Sequence, residues 1–257
     1  MKLNLVPASQ GALWARLGMR VFWRQPLAFT GLFFIFMTVL SLCSLLPVVG
    51  SLIALALVPA ATLGFMAAVR EVELGKFPMP TILAVAFRAG HARMRDMLVL
   101  GALYACGLVG VMMLSSLIDG GAFARVYLMG GRLDAETLMS AEFQNAMWVS
   151  LLFYMPLSAL FWHAPALVHW HGVPVVKSLF FSLVACLRNW RAFLVYGMLW
   201  VMVFMGTTLL VSLLASLLDG EWATSMLLPA TLMLAAMFFC STYFSFRDSF
   251  LRDAHYA

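Results

Sequence analysis

Three histidines stand close together in the stretch FWHAPALVHWHG, residues 161–172. Imidazole binds metals and carries protons, so a metal site, a haem site or a proton path would fit the residue type. Histidines that hold one metal from a single helix usually stand four residues apart. His163 and His169 are six residues apart and His171 follows two later, which places His163 about 120° from His169 around a helix. The spacing therefore predicts no metal, haem or other cofactor.

The elements that carry these histidines are strongly apolar. The 257-residue chain is 64% hydrophobic and 11% charged, against about 45–50% and 25% in soluble domains. A helix of about 20 apolar residues spans a bilayer. The sequence therefore predicts an all-α integral membrane protein with six transmembrane helices. Their expected limits are 27–46, 48–69, 97–118, 147–168, 193–218 and 223–246.

The histidines fall at the end of the fourth predicted span. Tryptophan and histidine rings are favoured at the boundary between the bilayer core and the headgroups, where they need no ligand. Within this span, Pro156 and Pro165 predict a kink, because proline removes a backbone donor from the helix. We expect these prolines to bend the span rather than to mark a transport gate.

Positive charge is distributed unevenly between the connections. All but two of the 16 Lys and Arg residues lie at the N-terminus, in the second and fourth connections, or at the C-terminus; the exceptions are Arg125 and Arg132. Short loops rich in Lys and Arg stay on the cytoplasmic side. The distribution predicts a multi-pass protein of the bacterial inner membrane with both termini in the cytoplasm.

A stretch that combines apolar and basic residues precedes the first, third and fifth predicted spans. At 100° per residue, the basic residues of the first stretch share an arc of about 80°, while Trp14, Val21 and Phe22 belong to the apolar remainder. A helix of this kind lies in the plane of the membrane interface. The predicted contacts with anionic headgroups are Arg16, Arg20, Arg24, Arg88, Arg95, Lys177, Arg188 and Arg191.

Each stretch and the hairpin that follows it form one predicted unit. The three units, at about 9–69, 80–169 and 174–246 of a single polytopic domain, run parallel because each starts on the cytoplasmic side. Parallel repeats occur among membrane carriers, so this organisation is compatible with a carrier as well as with a structural protein.

The segment APALVHWHGVPVVKSLFFSLVACLRNWRAFLVYGML includes Pro165, Gly172, Pro174, Asn189 and Trp190. It is similar to the membrane domain attached to some glycerophosphodiester phosphodiesterases, in which a span ends in a proline-containing exit and a short interfacial helix follows. Together with the start KLNLVPASQGALW, it resembles one uncharacterised family of proteobacterial inner-membrane proteins. The resemblance covers most of the chain and implies a fold but no activity, because its motifs are structural.

Residue patterns typical of enzymes and pumps are missing from the sequence. It has no GxSxG, HExxH, Walker or CxxC motif, and no Asp, Glu, Lys or Arg inside the six predicted spans. Proton-coupled pumps and ion carriers usually need such a group within the membrane. We therefore expect no catalytic residue and no enzymatic activity.

Small and polar residues recur at every fourth position in three spans. Small residues at this spacing let helices approach closely in lipid, and they join these spans either to each other or to a partner. The packing candidates are Ala56, Ala60, Gly64 and Ala68 in the second span and Ala102, Cys106 and Gly110 in the third. In the fifth span, the hydroxyls of Thr208, Ser212 and Ser216 either bond to their own helix or line a groove for a lipid headgroup.

Two classes of function remain after these exclusions, with an enzyme a distant third. The favoured class is a structural, assembly or regulatory component of the membrane, with a membrane-protein partner or a second copy as its contact. The alternative is a carrier or lipid-handling protein, which the parallel units and the hydroxyl stripe favour. Nucleic-acid binding is disfavoured, because the net charge of +5 is spread over four segments without a cluster of 5–8 basic residues.

Overall fold

The computed structural model describes residues 3–46, 49–130, 134–217 and 220–250. These residues form eleven α-helices and no strand, with one 3₁₀ helix (Pro80–Phe87) between the third and fourth α-helices. The α-helices are α1 (Ser9–Arg24), α2 (Pro26–Ser44), α3 (Val49–Glu73), α4 (His91–Asp119), α5 (Ala122–Met129), α6 (Ala135–Met139), α7 (Ala141–Phe161), α8 (Ala164–His171), α9 (Val175–Arg188), α10 (Trp190–Leu217) and α11 (Gly220–Phe250).

Six helical segments of the described chain are long and apolar enough to cross a membrane. They are Pro26–Ser44, Val49–Glu73, His91–Asp119, Ala141–His171, Trp190–Leu217 and Ser225–Phe250. The predicted all-α fold with six spans is confirmed. The fourth span consists of two helices, α7 and α8.

The third span begins earlier than the sequence predicts. Gly90, with φ 95°, separates the 3₁₀ helix from α4, a backbone conformation that glycine adopts without strain. From His91 onward the helix continues through Arg93 and Arg95, which the sequence places on an interfacial stretch. Charged residues such as Arg93 and Arg95 end the apolar run from which the span is predicted, but they do not end the helix itself.

The chain divides into two compact units. The first contains the described parts of 1–36, 62–85 and 184–257, and the second contains those of 37–61 and 86–183. Both α2 and α3 therefore contribute residues to each unit. The three parallel units predicted from the sequence describe the order of elements along the chain, and they stay a prediction.

In the first unit, α1 packs against α10 and α11. A Cβ added to Gly11 would meet the backbone of Ala192, and one added to Gly18 would meet Ser241, so the helix backbones lie almost in contact. Trp14 and other apolar residues of α1 are fully buried. The face of α1 that the sequence assigns to lipid is therefore buried by protein. Periodicity identifies an apolar face but not what covers it.

In the second unit, α4 packs against α5, α7 and α8. Gly101 of α4 lies against Ala56 of α3, because a Cβ on Gly101 would meet the Ala56 carbonyl oxygen. Gly107 lies against the side chain of Leu157 on α7, with an added Cβ 2.6 Å from a leucine methyl carbon. These close contacts of α4 involve Gly101 and Gly107, which lie outside the stripe predicted for the third span, while Ala56 belongs to the stripe predicted for the second span.

Candidate functional site

The fourth span is interrupted at Trp162 and His163, between α7 and α8. Pro165 stands in the first turn of α8, where its missing N–H is tolerated, but it cannot donate to the carbonyl four residues earlier. Pro156, in contrast, lies inside an uninterrupted α7. Of the two prolines that predict a kink, Pro165 is the one that marks a break.

A serine from α9 connects the two sides of this break. The backbone N–H of His163 donates to the Ser182 hydroxyl at 2.9 Å, and that hydroxyl donates to the carbonyl of Ala159 at 2.7 Å. In a continuous helix the His163 N–H would donate directly to Ala159, four residues earlier. The hydroxyl is thus inserted into a backbone hydrogen bond, and both backbone groups stay satisfied within the span, as a membrane environment requires.

The three histidines have different environments. His163 is fully buried in the break, His169 is 8% exposed on α8, and His171 is exposed. Within the residues described, no three His, Cys, Asp or Glu side chains are placed so that they could hold a metal ion. The break between α7 and α8 sets His163 apart from the other two histidines, in addition to their distance along the chain. That the histidines bind no metal or haem stays a prediction.

A second group of polar residues surrounds Asp248, near the end of α11. Its Oδ2 accepts hydrogen bonds from the Gln10 side-chain amide at 2.6 Å and from the Trp14 indole at 3.0 Å. Its Oδ1 pairs with the Arg247 guanidinium at 2.9 Å. Both carboxylate oxygens therefore have donors, and the charge has a cation beside it.

The N-terminal segment continues this network. The Asn4 N–H donates to the carbonyl of Ser249 at 2.9 Å, and the Asn189 side chain both accepts from the Val6 N–H at 3.0 Å and donates to the Asn4 carbonyl at 3.1 Å. The start of the chain is thus attached to the end of α11 and to the turn between α9 and α10. The Asp248 cluster is defined here as Asn4, Gln10, Trp14, Asn189, Arg247 and Asp248.

Sequence reasoning missed this cluster as a site. Asn189 and the segment that holds Asn4 and Gln10 entered only through a family resemblance. The sequence does hold a signal for this site, because amides and one carboxylate stand beside strongly apolar helices. Gln10 and Asp248, however, are separated by 238 residues. A pattern along the chain does not pair residues so far apart.

All eight predicted headgroup contacts are exposed: Arg16, Arg20, Arg24, Arg88, Arg95, Lys177, Arg188 and Arg191. Arg24 also has a protein partner, because its guanidinium pairs with Glu73 at 2.8 Å. Arg191 lies over the Trp190 ring at 5.5 Å. Exposure leaves these side chains accessible to headgroups, and their contact with lipid stays a prediction.

The two predicted packing stripes differ in burial. Ala60, Gly64 and Ala68 are buried and Ala56 is partly buried, with a Cβ on Gly64 reaching 2.9 Å from the Leu83 Cα. Ala102 and Cys106 are exposed, while Gly110 is partly buried and a Cβ added to it would meet no atom within 4 Å. The stripe in the second span packs inside the protein, whereas most of the stripe in the third span faces outward.

The hydroxyl stripe of the fifth span is exposed. Thr208 donates to the Phe204 carbonyl at 3.0 Å and Ser216 donates to the Leu213 carbonyl at 2.7 Å, while Ser212 is exposed on the same helix. Thr208 and Ser216 therefore bond to their own helix, which is the common arrangement for such residues.

Six membrane-spanning segments in an all-α chain define a multi-pass membrane protein. The chain is 39% identical over 254 residues to a protein of Burkholderia thailandensis that bears the name "Probable inner membrane protein"; the match covers 97% of this chain and 94% of the relative. The chain belongs to the family of this proteobacterial inner-membrane protein, which confirms that part of the predicted resemblance. No family model matches the chain, and no solved structure matches it.

Proposed function

We propose that the protein is a structural, assembly or regulatory component of the inner membrane, without a catalytic centre or a bound cofactor. The observation that carries this proposal is the Asp248 cluster. A buried carboxylate at the end of a span is a natural candidate for ion or proton coupling, but this one is held by Gln10, Trp14 and Arg247. Its charge is compensated inside the protein, which supports a role in attaching the N-terminal segment to the end of α11.

The exposed surface of the spans supports a partner within the membrane. In the most apolar part of the fifth span, only 6% of the residues are buried. In the third span, Ala102 and Cys106 face outward, and small residues at such a surface let another helix come close. A membrane-protein partner or a second copy of the chain would cover such surfaces. Without such a partner or second copy, lipid covers these surfaces.

Co-purification from native membranes tests this proposal. The full-length chain, purified in mild detergent, should retain a stoichiometric membrane protein or a second copy, identified by mass spectrometry and by the mass of the complex. Cys106→Leu fills the outward-facing stripe and should reduce retention, whereas Leu103→Met, at a position 42% exposed on the same helix, should not. A monomer that carries no protein partner would contradict the proposal.

A carrier or lipid-handling protein is the alternative, and the interrupted fourth span favours it. Interrupted transmembrane helices form the binding sites of many carriers, and His163 is fully buried at this interruption. In this case purification would yield one enriched solute or lipid instead of a protein. His163→Gln should then reduce the amount of the bound molecule, with His171→Gln, at an exposed position, as the control.

The proposed orientation places both termini in the cytoplasm, with the basic residues beside anionic headgroups and no role in nucleic-acid binding. Single cysteines at Asp134 and Lys76, both exposed, should be labelled from opposite sides by a membrane-impermeant thiol reagent. Equal labelling in cells with a permeabilised outer membrane would contradict this topology.

The likeness to the membrane domain of some glycerophosphodiester phosphodiesterases is part of the same proposal. It is supported by the way in which α8 ends at Gly172, with φ 62°, before α9 begins at Val175. This is the proline-containing exit and short following helix that the resemblance implies. An experimental structure of such a membrane domain with a different exit would remove this support.

A further inference from the structure

The chain leaves the axis of α3 at a glycine. Gly75 has φ 73°, a conformation that glycine adopts without strain. Its N–H donates to the Val72 carbonyl at 3.0 Å, and the Lys76 N–H donates to the Glu71 carbonyl at 2.9 Å. These two hydrogen bonds form a Schellman motif, which ends a helix at a left-handed residue. The chain therefore turns at Gly75 instead of continuing away from α3.

The next residues run back beside α3. They are defined here as the return segment, residues 76–85. A Cβ added to Gly64 would lie 2.9 Å from the Leu83 Cα, so the two backbones are almost in contact. Gly64 precedes Glu73, the last residue of α3, by nine residues, which is about 14 Å along a helix. By Leu83 the return segment has therefore come back by this distance from the end of the span.

This distance brings the return segment to the level of the bilayer. α3 has 25 residues and is long and apolar enough to cross a membrane. Its length of about 37 Å exceeds a hydrocarbon core of about 30 Å. Even if the whole excess of about 7 Å lies at the Glu73 end, Gly64 and Leu83 are still inside the core. The side chains between Lys76 and Leu83 therefore lie where headgroups and acyl chains meet.

The composition of the return segment suits this level. Residues 77–85, FPMPTILAV, carry no charge. Pro78 and Pro80 have no backbone N–H, so two donors that would need a partner in an apolar environment are missing. Phe77 and Met79 are 59% and 60% exposed, whereas Pro78 between them is buried. The segment therefore turns two large apolar side chains away from the protein.

We propose that the return segment inserts Phe77 and Met79 among the acyl chains of the membrane leaflet in which α3 ends. Interfacial elements bury apolar side chains by about 5–10 Å at this boundary. Lys76 is exposed at the start of the segment, and a lysine at this position extends its charge into the headgroups. The arginines predicted to contact headgroups are not part of this contact. The inference goes beyond the proposed function and does not depend on it.

Photo-crosslinking in native membranes tests the insertion. Benzoylphenylalanine, whose ketone bonds to a nearby C–H group under ultraviolet light, replaces Phe77 in the full-length chain, and mass spectrometry identifies the adduct. Phe34, 66% exposed within the first span, is the reference in lipid. Asp134, exposed between the third and fourth spans, is the reference in water. We expect a phospholipid adduct at Phe77 with the yield found at Phe34, and none at Asp134.

A second variant tests the contact that holds the segment at this depth. Gly64→Ala places a Cβ against the Leu83 backbone, so it should displace the return segment and reduce the lipid adduct at Phe77. Gly31→Ala is the matched control, because its added Cβ meets no atom within 4 Å. The yield at Phe34 should stay unchanged in both variants, which distinguishes displacement from loss of the fold. Equal yields at Phe77 in the two variants would contradict the return along α3.

The chemical nature of the adduct separates lipid from the other neighbours of the segment. A phospholipid adduct at Phe77 supports the insertion. An adduct with a second protein would overturn it and assign Phe77 and Met79 to a protein interface, and a yield as low as that at Asp134 would place them in water. Neither failure touches the proposed structural role, because that role is tested by retention of a partner at the third span.

Discussion

The break in the fourth span and the Asp248 cluster satisfy buried polar groups in different ways. At the break, one neutral hydroxyl, that of Ser182, joins a backbone donor to a backbone acceptor. At Asp248, a carboxylate gathers an amide, an indole and a guanidinium. Neutral hydrogen bonds contribute about 1 kcal/mol, whereas those to charged groups contribute about 1.5–3 kcal/mol. The comparison predicts that stability depends more on the charged cluster than on the neutral bridge.

The largest effect is expected at Asp248. Asp248→Ala leaves the Gln10 and Trp14 donors without an acceptor and Arg247 without its anion. Loss of one member of a buried pair costs about 3–5 kcal/mol, and because the Arg247 side chain is 34% exposed we expect a smaller loss, about 2–4 kcal/mol. Thermal unfolding in detergent measures it. Asp134→Asn, at an exposed carboxylate, should change little, and equal melting temperatures for the two variants would remove Asp248 as a centre of stability.

The next effect tests the neutral bridge. Ser182→Ala removes the hydroxyl that serves both the His163 N–H and the Ala159 carbonyl, with an expected loss of about 1–2 kcal/mol. Hydrogen exchange of the peptide that spans residues 159–165 should become faster. Ser178 is the matched control, because it is equally buried but donates to the Val175 carbonyl of its own helix at 2.7 Å. Equal exchange in Ser182→Ala and Ser178→Ala would mean that the bridge does not hold the break.

A smaller change probes one donor of the charged cluster. Trp14→Phe removes the indole N–H that Asp248 accepts while keeping a large aromatic ring, and we expect a loss of about 1–2 kcal/mol. The same substitution at Trp23, which is 60% exposed on the same helix, should have almost no effect. The difference between the two melting temperatures isolates the buried hydrogen bond. A difference of zero would show that Gln10 and Arg247 suffice for Asp248.

The smallest effect is expected at an exposed ion pair, which shows how much charge contributes without burial. Arg24 and Glu73 form a charged pair at 2.8 Å, but their side chains are 51% and 32% exposed. Arg24→Gln should therefore cost about 0–1 kcal/mol, and the cost should disappear at high salt because exposed charges are screened. Stability measured at low and high salt checks both statements. A loss as large as that of Asp248→Ala would show that charge alone, without burial, determines the effect.

The sequence predicted the features that depend on local composition. The length of an apolar run is a property of neighbouring residues, so all six spans were predicted, and the break follows from Pro165. The sequence predicts too late a start for α4, because Arg93 and Arg95 interrupt the apolar run without interrupting the helix.

The candidate sites depend on contacts between distant residues. Ser182 and Ala159 are separated by 23 residues, and nothing in the spacing of α9 identifies that carbonyl as the acceptor. The periodicity predicts the apolar face of α1, but whether lipid or α10 and α11 cover that face depends on how the helices pack. For the same reason the sequence predicts Ala102 as a packing residue, whereas its neighbour Gly101 is the close contact of Ala56.

The attachment of Asn4 to the end of α11 sets an order of events during synthesis. Asn4 and Asp248 are separated by 244 residues, and at about 5–20 residues per second the ribosome needs about 10–50 s to supply the second after the first. During this interval Gln10 and the Trp14 indole lack the carboxylate that they bind in the finished protein. A chain whose synthesis stops before Asp248 keeps all of α1 but has no acceptor for these donors. The cluster therefore forms only after synthesis has passed Asp248, although all the donors from α1 are made at the start.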